Sequence, residues 1–240
     1  KRQILTQEVK PEIIVIDGGS TDKTLTILQE YREHIDYFET GMDKGIADAF
    51  NRGISRAHGE YIGILNSDDY WEKDTLGQVA AHVAADSSVG IIHGSCRFIP
   101  VAGDSYIKKP NPIALKRYMS VYHPTMFVRK EVYELVGNYS LNYRYAMDSE
   151  WLHRACSKNI EMSEVKGVLS NMRMGGASDL AYTKALYEYR DSVVFNGLAG
   201  VPYANLFLYL HMLSKTLDKH PLTGNIKKLF NSLLNDTVKY

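Results

Sequence analysis

Residues 61–70, with the sequence YIGILNSDDY, form a short apolar run that ends in an amide, a hydroxyl and two adjacent aspartates. Short apolar runs bounded by turn-forming residues are typical of buried strands. At the carboxyl end of such a strand, Asp68 and Asp69 would place two negative charges where open α/β sheets bind their ligands. A bound cation would stabilise both carboxylates in the ionised state. The same residues also suit a polar turn with an aspartate that caps the next helix, and this stretch alone favours neither interpretation.

Strands and helices alternate on both sides of this segment. Upstream, EIIVID (residues 12–17) predicts a strand that breaks into the turn GGSTD (18–22) and then a helix over about 23–33. An extended segment over 35–39 precedes an amphipathic helix over 46–57. Downstream we predict a helix over 75–85, a strand over 90–99 and a helix over 130–136. Because such alternation is typical of βαβ units, the sequence predicts an α/β fold with a mostly parallel central sheet.

Composition and motif spacing exclude several classes of protein. The 28 basic and 28 acidic residues give a formal net charge of zero, so we expect no nucleic-acid partner. The glycine turn over 18–22 matches neither GxGxxG nor GxxxxGK[ST], which disfavours a nicotinamide-binding protein and a P-loop enzyme. Cys96 and Cys156 have no metal-type spacing and suggest free thiols in a reducing compartment, with one disulfide as the alternative. With no signal peptide and no apolar run of transmembrane length, we expect a soluble, cytoplasmic protein.

A later acid and the carboxyl-terminal segment each have two interpretations. Asp148 stands at the head of the helical segment AMDSEWL (146–152), where its spacing alone favours a helix N-cap. Beyond a linker over 197–202, apolar residues at helical spacing over 206–213 and 226–234 predict two amphipathic helices with nearby lysines. These helices would pack against the domain or a second copy of the chain, or lie on an anionic membrane surface. Packing is the favoured alternative.

Five motifs, taken together in their order and spacing, resemble the family 2 glycosyltransferases of the GT-A fold. The motifs are IVIDGGSTD (14–22), DKGI (43–46), NRGI (51–54), GEYI (59–62) and LNSDD (65–69). The resemblance continues through HPT (123–125) and AMDSEWL (146–152), and so covers roughly the first two thirds of the chain. It implies an α/β/α sandwich over residues 1–175 that binds the nucleotide-sugar and carries catalysis. Residues 176–240 would form a C-terminal helical extension.

The resemblance also implies a first strand that would lie upstream of Lys1. The family opens with a strand that ends in a Pro-x-Tyr-Asn type turn, upstream of the position that corresponds to Lys1. We therefore expect the first strand of the fold to be missing here. The strand over 13–17 would then have an unpaired edge.

The family transfers a sugar from a nucleoside diphosphate to an acceptor hydroxyl, with inversion at the anomeric carbon. The resemblance implies that Asp69 coordinates a Mn²⁺ or Mg²⁺ ion that bridges the donor diphosphate. It implies that Asp68 contacts the donor ribose or the hydration shell of the ion. Asp148 matches the catalytic base, which takes the acceptor proton, and the same carboxylate can also cap its helix. His123 would line the acceptor pocket, or is a turn residue before Pro124.

On the donor side, the resemblance implies that Asp17 reads the uracil edge and that Gly18 and Ser20 line the nucleotide. Three cations are candidate contacts of the diphosphate, with the first favoured by its glycine-flanked loop: Lys44, Arg52 and Arg173.

The expected activity is a metal-dependent, inverting transfer from a UDP-sugar to a saccharide or lipid-linked saccharide of the cell envelope. The expected location is the cytoplasm, with peripheral contact to the inner face of the membrane or a homodimer through the C-terminal helices. The alternative is a non-catalytic nucleotide-sugar-binding protein or a truncated, inactive homologue.

Overall fold

The computed structural model describes residues 9–217, in which strands and helices alternate as the sequence predicts. The strands are β1 (Ile14–Asp17), β2 (Tyr37–Thr40), β3 (Tyr61–Gly63), β4 (Tyr70–Trp71), β5 (Ile91–Ile99), β6 (Tyr106–Lys108), β7 (Phe127–Arg129) and β8 (Met162–Arg173). The α-helices are α1 (Thr24–Glu30), α2 (Ile46–Arg56), α3 (Thr75–Ala85), α4 (Lys130–Val136), α5 (Met147–Ser157), α6 (Ala177–Leu180), α7 (Tyr182–Phe195) and α8 (Val201–Leu217). Short 3₁₀ turns cover Arg32–His34, Pro112–Lys116 and His123–Thr125.

The strands form two sheets. In the smaller sheet, β1 and β2 pair in parallel, which sets Asp17 opposite Thr40 at the carboxyl ends of both strands. The larger sheet has the order β3-β7-β5-β8-β4, with β6 attached to β5. Strand β5 lies at the centre of this sheet. One edge of β5 pairs with β8, and the other edge pairs with β7 at its start and with β6 near its end. Within residues 9–217, β1 pairs with β2 and with no other strand.

The prediction of an α/β fold is confirmed, but the prediction of a mostly parallel sheet is corrected to a mixed one. Pairing is parallel between β1 and β2 and between β5 and β8, and antiparallel in the other described pairs. Strand β6 returns along β5 after a short loop, which is the connection that antiparallel neighbours allow. Strands β4 and β7 have only two and three residues. Apolar periodicity indicates a strand but not its direction, so the sequence could not reveal these antiparallel pairs.

Helix α5 is anchored in the main core by a cluster of aromatic rings. Trp151 is fully buried, and its ring centroid lies 4.9 Å from that of Tyr133 and 5.6 Å from that of Tyr139. Its indole Nε1 donates a 2.8 Å hydrogen bond to the carbonyl of Gly137, the residue with φ of +90° that ends α4. A positive φ at this position suits glycine, because glycine has no Cβ atom to disfavour it. The start of α5 is thereby tied to the end of α4.

The C-terminal helices pack onto α5. His153 of α5 shares a 2.7 Å hydrogen bond with Ser192 of α7, and both side chains are buried. Helix α8 packs on α7 and buries Phe207 and Leu208. The predicted helix over 226–234 lies outside the described residues, and the division of the chain after residue 175 stays a prediction. Among the helices of residues 9–217, none has the length and apolar character needed to cross a membrane.

Both cysteines are free thiols in the structure, which confirms the prediction of free thiols rather than a disulfide. Cys96 is buried within β5, and Cys156 is half-buried near the end of α5.

Replacing Trp151 by alanine should lower the free energy of unfolding by about 3–5 kcal/mol, because it removes a buried ring and its hydrogen bond. Denaturant unfolding followed by circular dichroism measures the change. The control is Leu135→Ala on α4, since this leucine is 63% exposed and its loss should change stability by less than about 0.5 kcal/mol. Equal losses in the two variants would contradict the assigned role of Trp151.

Candidate active site

Asp68 and Asp69 lie in the turn between β3 and β4, and the structure separates their environments. Strand β3 ends earlier than predicted, at Gly63, and the N–H of Asp69 donates to the carbonyl of Asn66 at 3.1 Å to close the turn. Asp68 is exposed, whereas Asp69 is only 8% exposed. The Oδ1 atom of Asp69 accepts the backbone N–H of Arg173 at 2.9 Å, and the Arg173 guanidinium donates to the carbonyl of Asp68. The end of β8 therefore holds both acids at one edge of the sheet.

The buried acid carries an electrostatic cost. Burial raises the pKa of Asp69 to about 6 and outweighs the hydrogen bond from the Arg173 N–H, while the charge of Asp68 adds to the rise. A carboxylate in this setting gains from a nearby positive charge that favours its ionised form.

The two acids fit a divalent cation that is shared with a ligand. Within residues 9–217, no set of three or more His, Cys, Asp or Glu side chains converges to hold a metal by protein groups alone. Mg²⁺ in nucleotide sites is usually held by one or two carboxylates together with phosphate oxygens of the substrate. The buried Asp69 and the exposed Asp68 could supply these one or two carboxylates, with the remaining ligands coming from a bound phosphate group.

Asp17 organises the glycine turn after β1. Its carboxylate accepts the N–H groups of Gly19 at 3.1 Å and Ser20 at 3.0 Å, and also the hydroxyls of Ser20 and Thr40. Burial raises the pKa of Asp17, but the hydrogen bonds from Ser20 and Thr40 outweigh it and leave the pKa below its usual value. The carboxylate is thus ionised and engaged with its own turn. Thr40, a contact that sequence reasoning missed, faces Asp17 because β1 and β2 are in parallel register.

The turn approaches a second loop at Gly18. A Cβ atom on Gly18 would lie too close to Oδ2 of Asp43, so a larger residue there would displace the Asp43 carboxylate. Asp43 accepts the N–H of Gly45 at 2.9 Å, which shapes the loop before α2. Asp43 opens the DKGI motif (43–46), but the sequence alone did not place it at the site. Lys44, from the same loop, is exposed, and its ammonium makes no hydrogen bond or ion pair with residues 9–217.

The candidate cations differ in their partners. Arg52 of α2 pairs with Glu39 of β2 through two hydrogen bonds, and the Tyr37 hydroxyl donates to the same carboxylate at 2.7 Å. This ion pair links α2 to β2 and occupies the guanidinium. Lys44 has no such partner within residues 9–217 and remains a candidate for a diphosphate contact, whereas the Arg173 guanidinium donates to a neutral carbonyl and keeps its charge unpaired by a carboxylate in that bond.

Asp148 lies in the first turn of α5 and is half-buried. The N-cap of the helix is Ala146, so the favoured N-cap interpretation of Asp148 is wrong by two residues. Its Oδ1 atom accepts the N–H of Ser149 at 2.7 Å and the hydroxyl of Ser149 at 3.3 Å. Negative charge at a helix N-terminus is stabilised by the helix dipole. The carboxylate is therefore fixed at the amino end of a well-anchored helix.

His123 lies in a buried aromatic cluster, within electrostatic range of Asp148. The histidine is 7% exposed, and its ring stacks on Phe50 with a centroid distance of 4.8 Å and an interplanar angle of 6°. Burial lowers the pKa of His123, and the nearby Asp148 carboxylate opposes that shift. Its Nε2 atom is buried without a hydrogen-bond partner among the described residues. His123 also belongs to a 3₁₀ turn, so its two sequence interpretations are compatible.

Direct contacts connect the three groups of candidate residues. The Trp71 indole, two residues after Asp69, donates to the carbonyl of Pro124 at 2.8 Å and so links the paired acids to the His123 turn. Phe50 connects His123 to α2, which packs against β1. The turn that carries Asp69 is therefore joined directly to the His123 turn. The ring of Tyr139 lies between those of His123 and Trp151 of α5, and the Asp17 turn is connected to His123 through α2.

Comparison with known proteins identifies the family of this chain. The family model "Glycosyl transferase family 2" matches residues 2–143. A relative from Mycobacterium bovis (strain BCG / Pasteur 1173P2), described as a PGL/p-HBAD biosynthesis glycosyltransferase, is 27% identical over 182 residues, which is 72% of this chain and 70% of the relative.

Two solved structures share the fold. The mannosyltransferase PcManGT from Pyrobaculum calidifontis, in complex with GDP-Man and Mn²⁺, matches with a TM-score of 0.61 and 16% identity, over 99% of this chain and 80% of that one. S. aureus TarS 1–349, in complex with UDP-GlcNAc, matches with a TM-score of 0.60 and 18% identity, over 85% of this chain and 64% of that one. Against a longer TarS structure, the match spans 40% of that chain. At these identities the likeness concerns the fold, and it supports the GT-A type architecture.

The family model covers more than half of the chain and includes the Asp17 turn and both acids of the β3–β4 turn. The chain belongs to glycosyl transferase family 2 and is a glycosyltransferase.

Proposed function

We propose that this chain moves a sugar from a nucleoside-diphosphate sugar, a UDP-sugar, to an acceptor hydroxyl in a metal-dependent, inverting reaction. The observation that carries the proposal is the hydrogen bond between Trp71 and Pro124. It joins the turn that holds Asp68 and Asp69 to the His123 turn, beside Asp148. A cation-binding pair and a separate carboxylate on neighbouring elements suit a leaving diphosphate and an attacking hydroxyl.

The paired acids form the donor end of the proposed site. Asp69 would hold a Mn²⁺ or Mg²⁺ ion, with Asp68 at its hydration shell or at the donor ribose. When bound, such an ion supplies positive charge that offsets the charge developing on the departing diphosphate. Arg173, held against the Asp68 carbonyl, and the exposed Lys44 would add positive charge at the phosphates.

Asp148 would act as the catalytic base. Its Oδ1 atom accepts the Ser149 N–H, so we assign the acceptor proton to Oδ2. In a single displacement, one carboxylate takes the acceptor proton from the face opposite the leaving group, and no second nucleophilic carboxylate is needed. His123, stacked on Phe50 beside Asp148, would form the floor of the acceptor side.

The nucleotide would lie against the turn Gly18–Ser20. Asp17 accepts hydrogen bonds from Gly19, Ser20 and Thr40, so we propose that it contributes to uracil recognition mainly by fixing this turn. The solved neighbours are complexes with UDP-GlcNAc and with GDP-Man, so donor selection within this fold depends on local residues.

For the acceptor, we propose a saccharide or lipid-linked saccharide of the cell envelope. The name of the mycobacterial relative, a PGL/p-HBAD biosynthesis glycosyltransferase, supports this class. We further propose a cytoplasmic enzyme that contacts a membrane surface or a second copy. The support is an exposed apolar stripe on α8, formed by Leu206, Tyr209 and Leu213 at spacings of three and four residues.

Asp148→Asn should reduce turnover by about 10²-fold or more, because the amide cannot accept the acceptor proton. Donor affinity, measured by calorimetry with a panel of nucleotide-sugars, should stay within about threefold, since the donor contacts lie elsewhere. The matched control is Asp86→Asn, an exposed acid that accepts hydrogen bonds from Ser88 beyond the end of α3. Near wild-type turnover by Asp148→Asn would refute the base assignment, and turnover of no donor by the wild-type chain would favour a non-catalytic binder.

Asp69→Asn should abolish the difference between UDP affinity in Mn²⁺ and UDP affinity in EDTA, with a loss of at least about tenfold in the presence of the metal. Asparagine keeps an acceptor for the Arg173 N–H, so the turn should remain folded. Asp68→Asn should produce a smaller loss, because Asp68 is assigned to the hydration shell or the ribose. Titration calorimetry of UDP binding in Mn²⁺ or in EDTA measures the affinity of both variants. If Mn²⁺ increases the UDP affinity of Asp69→Asn as much as that of the wild type, Asp69 is not the metal ligand.

A further inference from the structure

The loop that leads into α5 is held by a carboxylate from a distant part of the chain. Glu188 of α7 accepts the backbone N–H groups of three consecutive residues: Arg144 at 3.2 Å, Tyr145 at 2.8 Å and Ala146 at 2.9 Å. The first bond reaches Oε1 and the other two reach Oε2. Ala146 is the N-cap of α5, and Asp148 follows two residues later.

This contact supplies what the local sequence lacks. An alanine side chain cannot accept a hydrogen bond, and alanine is among the poorest N-cap residues. The amino end of a helix also carries partial positive charge, which an anion stabilises. Glu188 provides both the acceptor atoms and the negative charge from a helix more than 40 residues away.

A backbone carbonyl of the same loop is hydrogen-bonded as well. The Ser178 hydroxyl of α6 donates to the carbonyl of Tyr145 at 3.0 Å, while Glu188 accepts the N–H of the same residue. The peptide groups on both sides of Tyr145 are thus hydrogen-bonded to the C-terminal helices.

Helix α7 is also hydrogen-bonded to α5 at a second position. Ser192 lies one turn after Glu188, so the two side chains share a face of the helix. Ser192 is fully buried and bonds His153 of α5 at 2.7 Å. Helix α7 therefore contacts the body of α5 through Ser192 and the entry to α5 through Glu188.

We propose that Glu188 is a positioning residue that sets the Asp148 carboxylate for proton transfer, so that the C-terminal helices belong to the catalytic apparatus. The inference rests on the proposed function of Asp148 as the base. Glu188 touches neither donor nor acceptor in this scheme, and it acts through the backbone of residues 144–146. Because the donor end is built from other elements, loss of Glu188 should affect turnover and leave donor binding intact.

The test compares Glu188→Ala, Glu188→Gln and the wild type. Glu188→Ala should lower kcat by about 10–10²-fold, because misplacement of a catalytic group by about 1 Å has an effect of that size. Donor KM and calorimetric donor affinity should change less than about threefold, since the donor contacts lie elsewhere. Glu188→Gln keeps one acceptor oxygen and should restore part of the loss. Glu134→Ala, an exposed acid on α4, is the matched control and should leave kcat unchanged.

Amide hydrogen exchange gives a readout that does not depend on turnover. In Glu188→Ala, the amides of residues 144–146 should exchange faster, while those in the body of α5 keep their protection. A purely stabilising role predicts instead a lower melting temperature with an unchanged kcat well below it. If alanine prevents folding, the kcat of Glu188→Gln and the exchange of its loop amides decide the question.

Two results would overturn the inference. One is wild-type kcat in a folded Glu188 variant, and the other is unchanged exchange at residues 144–146. If the wild type transfers no sugar from any donor, the proposed function fails, and the exchange measurement alone then decides whether Glu188 holds the loop.

Discussion

The placement of helix α5 is the constraint on which the rest of the site depends. Trp151 binds the end of α4 through the Gly137 carbonyl, and His153 binds α7 through Ser192. Arg154 donates hydrogen bonds to the carbonyls of Val136 and Asn138 around the end of α4. With these anchors buried, the helix has little freedom to rotate or slide, and a carboxylate in its first turn inherits that rigidity. A base on such an element can be held within the narrow tolerance that proton transfer requires.

Asp17 and Asp69 differ in how their charges are stabilised. Asp17 accepts several hydrogen bonds within its own turn, which keep its pKa below the usual value. Asp69 is also buried, but burial dominates, and its pKa rises to about 6. A carboxylate whose charge is already stabilised by hydrogen bonds within its own turn is suited to fix the conformation of that turn. A carboxylate that is short of compensating charge suits a cation brought with the donor.

The C-terminal helices are joined to the preceding part of the chain by polar contacts as well as by apolar packing. Glu188 bonds the loop before α5, and Tyr189 donates to the carbonyl of Leu115. A boundary after residue 175 follows from the motif pattern, but the hydrogen bonds cross it. Motif-based division of such a chain therefore separates residues that are hydrogen-bonded to each other.

Much of the fold and of the candidate site follows from the sequence itself. Local signals predicted the apolar runs, the glycine turn after Asp17 and the acid pair at 68–69. Strand burial, turn geometry and charge depend mainly on residues that are adjacent in sequence. Their order carried the resemblance to glycosyl transferase family 2. The tertiary structure decided strand direction, the environments that distinguish Asp68 from Asp69, and the true N-cap at Ala146. It also decided the contacts of Glu188 and Thr40. These features depend on atoms far apart in the chain, whose approach is determined by packing and has no local signature.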